Sequence, residues 1–91
     1  MYRIILACTG IPSSERPSAA QCIKEEFAQR PWLTNVKCGW DGAQLILQAD
    51  NDYDSNGQAL VDEFSDTISA CISNAGDGSI EVVSVTLLPD K

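Results

Sequence analysis

Residues 32–50 read WLTNVKCGWDGAQLILQAD, and the pair Asp41-Gly42 in the middle decides the fold. Val36, Cys38 and Trp40 alternate with other residues before the pair, and Leu45 and Leu47 do so after it. An Asp-Gly pair between two such runs predicts a hairpin, because a two-residue type I′ turn needs positive φ at both central positions. Two antiparallel strands are expected, one ending at Trp40 and one starting near Ala43.

The flanking sequence supplies the rest. Upstream, YRIILACT is a strand by its branched apolar content, and GIPSSERP is a loop. Ser18-Ala19-Ala20-Gln21 forms a capping box that opens a helix, with Ala19, Ile23 and Phe27 as its apolar stripe and Pro31 as its stop. Downstream, a second helix runs from about Ser55 or Val61 to Ser73. Its stripe is Leu60, Val61, Phe64, Ile68, Cys71 and Ile72, and Asn74 to Gly78 ends it with two glycines. SIEVVSVTLL is the last strand.

The order is βαββαβ. Two right-handed crossovers and one hairpin give an α+β, ferredoxin-like domain spanning 1–91: a four-stranded antiparallel sheet, order 4-1-3-2, with two helices on one face. Alternation predicts that Ile4, Leu6, Cys8, Val36, Cys38, Trp40, Leu45, Leu47, Val83, Val85 and Leu87 face the helices. The open face then carries Ile5, Ile46 and Val82 among polar residues. That partly apolar face is an alternative interface, for a dimer or another partner.

Charge is distributed unevenly. Residues 1–40 hold five basic and three acidic side chains, for a net +2. Residues 41–91 hold ten acids and only Lys91, for a net −9. The acidic half repels nucleic acid and anionic membranes, so neither is an expected partner. It attracts cations and basic protein surfaces. The longest apolar run, Ile4 to Cys8, is too short for a signal peptide or a span, and a cytoplasmic location is expected.

Enzymatic readings fare poorly. The chain contains no histidine, which removes Ser-His and Cys-His nucleophilic pairs and His-ligated metals. Size and strand order resemble acylphosphatase, but the first loop, CTGIPSSER, lacks that family's glycine pattern and places Arg16 late. The heavy-metal-associated copper carriers share βαββαβ, yet AAQCIKEEF supplies Cys22 alone where they carry Cys-x-x-Cys, and Cu(I) wants two thiolates. GIPSSERPSAAQCI is similar to the ligand loop of ACT-type regulatory domains, which implies small-molecule binding. No catalytic residue is expected.

Cys8, Cys22, Cys38 and Cys71 show no metal-ligand spacing. The topology brings them toward one end of the domain, and the pairings Cys8–Cys71 and Cys22–Cys38 are geometrically conceivable. In a reducing cytosol all four are expected as thiols, with no zinc bound.

The segment DNDYDSNGQALVDEF, residues 50–64, has two readings. From Asp52 it spells D-x-D-x-N-G and, five residues on, E. This resembles an EF-hand calcium loop over residues 52–63. The resemblance implies calcium held by Asp52, Asp54, Asn56, the Gln58 carbonyl and Glu63, with Gly57 at the turn. The rival reading takes Ser55-Asn56-Gly57-Gln58 as a capping box, with Asp50, Asp52 and Asp54 before a helix N-terminus whose dipole favours negative charge. Leu60 belongs to the apolar stripe with Phe64, which favours the early helix start and no cofactor.

On that reading Asp50, Asp52, Asp54, Asp62, Glu63 and Asp66 form one negative patch across a loop and the outer face of the second helix. The expected function is non-enzymatic binding of a basic protein surface, such as a nucleic-acid-binding complex. In size and charge the chain is similar to small acidic phage inhibitors of the anti-CRISPR and anti-restriction type, and to immunity proteins of basic nucleases. That resemblance implies an inhibitor that mimics nucleic acid.

Overall fold

The computed structural model describes residues 1–11, 16–72 and 79–89. The elements are β1 (Tyr2–Thr9), α1 (Arg16–Phe27), β2 (Thr34–Asp41), β3 (Gln44–Asn51), α2 (Gln58–Cys71) and β4 (Ser79–Leu87). The Asp41-Gly42 hairpin forms, with Gly42 at φ 61° and Asp41 opposite Gln44. The four strands make one antiparallel sheet, ordered β2-β3-β1-β4. This is the expected order read from the other edge. Most of the GIPSSERP loop and the glycine-rich stretch Asn74 to Gly78 lie outside the described residues.

Register explains the core. Leu6 stands opposite Leu47, which stands opposite Cys38; Ile4 faces Ala49, and Cys8 faces Leu45. These residues share one sheet face and join a single buried cluster with Ala19, Ile23 and Phe27 of α1 and Leu60, Phe64 and Ile68 of α2. Each buried Leu, Ile or Phe contributes roughly 1.5–3 kcal/mol from area removed from water. Phe27 and Phe64 meet edge-on where the helices cross, with ring centroids 6.5 Å apart.

Three local features depart from expectation. First, β4 does not alternate evenly. Ile5 pairs with Ser84, but Leu6 pairs with Val82, so Val83 is an extra residue in a bulge. The slip turns Val82 to the helix side, where it packs against the core cluster, and leaves Val83 57% exposed. Val82 therefore leaves the open face, and Val83 leaves the core. Leu87, also expected inside, is 68% exposed at the strand's end.

Second, the helix starts shift. α1 begins at Arg16, two residues before the predicted Ser18 cap, and α2 begins at Gln58 after Gly57 at φ 80°. A Cβ on Gly57 would come within 3.3 Å of Ile4 and Val82, so both the conformation and the packing there call for glycine.

Third, Cys22 and Cys71 are joined by a disulfide, their Cα atoms 5.9 Å apart. The expected set of four thiols is thereby corrected to two. Both conceived pairings matched a strand cysteine with a helix cysteine. Instead the two helix cysteines face each other across the α1–α2 seam, while Cys8 and Cys38 stay as buried thiols on the sheet. Burial pushes both thiols up, Cys38 to about 11.

Candidate protein-binding surface

The loop between β3 and α2 is organised by two buried side chains. Asn51 Oδ1 accepts hydrogen bonds from the backbone N–H of Tyr53 (3.2 Å) and Asp54 (2.9 Å), a tight turn built on an Asn side chain. That turn points Asp54 inward. Its Oδ1 accepts from the Ala59 N–H at 3.2 Å and its Oδ2 from the Leu60 N–H at 2.9 Å. These are unpaired donors of the first turn of α2, where a carboxylate is also favoured by the dipole. Asp54, not Ser55, anchors the helix start.

This arrangement works against the calcium reading. Both Asp54 oxygens are committed to the helix, and Asn56 Oδ1 accepts from the Gln58 N–H. Glu63 lies on the helix flank, where its Oε1 accepts from Arg30 Nε at 3.0 Å. Among the described residues no group of three or more His, Cys, Asp or Glu converges to hold a metal.

The acidic patch also changes. Asp50 is buried, not on the surface. Arg3 Nε and Nη2 donate to its two oxygens at 3.0 Å each, and Asn35 Nδ2 donates at 2.8 Å. Asn35 reaches it from an irregularity in β2, where its φ is 51°. Burial alone would raise the Asp50 carboxyl. The hydrogen bonds from Arg3 and Asn35, with the charges of Arg3 and Lys37, outweigh it and hold the group below its ordinary value. With Asp54 capping and Glu63 paired, Asp52, Asp62 and Asp66 remain as exposed carboxylates. Sequence proximity counted six acids; the fold withdraws three.

Two aromatic residues stand beside what remains. Pro31 and Trp32 occupy the middle of a turn closed by the Leu33 N–H on the Arg30 carbonyl at 3.0 Å. Buried Leu33 anchors the turn and leaves Trp32 outside, 52% exposed. Tyr53, at the tip of the Asn51 turn, is 51% exposed. Partial burial raises the Tyr53 phenol, followed by the charges of Glu63, Asp54 and Asp52, and nearby Trp32 opposes them. Neither aromatic residue was singled out from sequence; a Pro-Trp turn and a Tyr among acids were the available signals.

The opposite face of the sheet carries a shallow concavity of about 460 Å³. Ile5 and Ile46 line it with Lys37, Gly39 and Gln48, where Gly39 leaves a gap in the β2 edge. This retains Ile5 and Ile46 of the alternative interface and loses Val82. Among the described residues no helix is long and apolar enough to cross a membrane. The chain matches no protein-family model, no curated protein and no solved structure.

Proposed function

We propose that the chain is a ferredoxin-like, non-enzymatic binding module that docks an acidic surface onto a basic protein. The observation that carries this reading is the trio Asp52, Asp62 and Asp66, exposed and without an ion-pair partner among the described residues. Every other acid from Asp50 to Asp66 is engaged internally, so these three project charge outward. The antiparallel sheet order and the shared core of α1 and α2 support the fold assignment. An inhibitor of a nucleic-acid-binding complex is one form of such a module. The Cys22–Cys71 bridge favours an oxidising compartment, which weighs against the cytoplasmic expectation and against a cytosolic target. A basic extracytoplasmic protein, such as a secreted nuclease, fits the same chemistry.

Capture experiments with two baits test this. Wild-type protein should retain a basic protein that added heparin displaces. The Asp62→Lys/Asp66→Lys double variant, folded by circular dichroism, should not retain it. Equal retention by both baits would refute the acidic surface as the docking site and return attention to the open sheet face around Ile5 and Ile46.

A further inference from the structure

The sheet has two edges, and they are built differently. β4 is interrupted by the bulge at Val83, which bends an edge and blunts it against further pairing. β2 is the other edge, bonded to β3 alone. Its irregularity lies between Thr34 and Lys37. From Lys37 to Asp41 every residue has its partner on β3, from Gln48 to Gln44. The outer side of those residues is therefore a regular row of backbone donors and acceptors, and among the described residues no strand pairs with it. A regular unpaired edge is a template for one more strand.

The charges on that edge say which strand fits. Lys37 and Asp41 are both exposed, and neither has an ion-pair partner among the described residues. They stand two residues to either side of Gly39, each about 6.6 Å along the strand and on the same face of the sheet. A second copy, rotated by half a turn about Gly39, lays its β2 antiparallel to the first. Lys37 then stands opposite Asp41 of the second copy, and Asp41 stands opposite its Lys37. One strand segment makes two opposite-charge cross-strand pairs with itself, as a two-fold contact requires. Gly39 meets its own copy and brings no side chain to the axis. Parallel pairing sets like charges opposite each other, and a shift of two residues separates both pairs. α1 packs over β2 and α2 over β4, so this contact leaves Asp62 and Asp66 outside it.

We infer that β2 is a homotypic docking edge: two copies of the chain pair β2 to β2 around Gly39 and extend the four-stranded sheet across both molecules. The inference is independent of the acidic docking surface. Each chain carries a net charge of −7, so the contact works by local attraction against overall repulsion, and this gives its test a sign.

The test is sedimentation velocity over a concentration series reaching about 0.5 mM, because an interface of this size is weak. Wild-type protein should associate reversibly to a dimer. By symmetry each single charge reversal converts both ion pairs to like-charge pairs, so Lys37→Asp and Asp41→Lys should each weaken dimerisation at least about ten-fold. Asp41→Lys also makes the chain less negative, and overall charge alone would have it associate better. Mixed in equal amounts, the two single variants should form a heterodimer, and the double exchange Lys37→Asp/Asp41→Lys should dimerise again. Both substituted side chains are exposed, so circular dichroism should show the wild-type fold throughout. In the wild-type dimer, amide hydrogen exchange should slow along β2 from Lys37 to Asp41. Wild-type protein that stays monomeric at the top of the series would overturn the inference. So would single variants that dimerise as wild type does, or that fail to pair with each other. A dimer whose protected or shifted signals lie at Ile5 and Ile46, with β2 amides unchanged, would also overturn it and place the contact on the open sheet face.

Discussion

Asp50 and Asp54 look alike in sequence, two residues from Asp52 on either side, and do different work. Asp54 satisfies two backbone donors at the start of α2 from a buried position. Asp54→Ala should therefore cost about 2 kcal/mol in chemical denaturation, the upper end for losing a helix cap. Ser55→Ala, at the position the capping-box pattern favoured, should stay within about 0.5 kcal/mol. Asp50 contributes through a carboxylate held below its ordinary 3.8. A group depressed in the folded state stabilises above its unfolded value and stops doing so as pH falls through the folded one. Asp50→Asn should lower the urea midpoint at pH 7, and its gap from wild type should close as pH drops below about 3.8. A gap that stays constant from pH 7 to pH 2.5 would show that the Arg3–Asp50 pair adds no pH-dependent stability. Neither role was visible in a list of acids, because each depends on which way a backbone turn aims a side chain.

At the scale of elements, the hairpin, the order of strands and helices, and the helix stripes were legible, because local periodicity and one strong turn encode them. The bulge at Val83 was not: in EVVSV two adjacent valines make either register plausible, and a one-residue slip exchanges the faces of Val82 and Val83. The disulfide was half legible. The topology brought the cysteines to one end, but choosing among pairings needs the rotation of each helix about its axis. The bridge spans a sequence separation of 49 residues, and a loop of that size restricts the unfolded chain by about 4 kcal/mol in the chain-entropy account. Cys22→Ser/Cys71→Ser should approach that loss. Thiol titration of unfolded protein should count two before reduction and four after it. In the native state neither Cys8 nor Cys38 should react at pH 8, because burial raises both. Four thiols without reductant would remove the bridge and restore the cytoplasmic expectation.

For the whole molecule, the net charge of −7 was legible at once, but not which carboxylates it leaves outside. If Asp52, Asp62 and Asp66 steer a basic partner, the association rate should fall as salt rises past about 0.1 M, where the Debye length is about 10 Å. Dissociation should change less. The Asp62→Lys/Asp66→Lys variant should associate more slowly at low salt and show a flatter salt dependence; identical slopes would leave the charge a matter of solubility. The Cys22–Cys71 bridge also sets how the protein would answer mechanical load. It closes α1's second half, β2, β3 and α2 into a covalent ring, with β1 and β4 outside it. β4 is an edge strand paired to β1 alone, and its end lies beside the start of β1, where the Leu88 N–H donates to the Met1 carbonyl at 2.8 Å. Tension on the two ends would peel that pair apart bond by bond. It would then stop at the ring, leaving roughly 170 Å of chain unextended until a thiol cuts the tether.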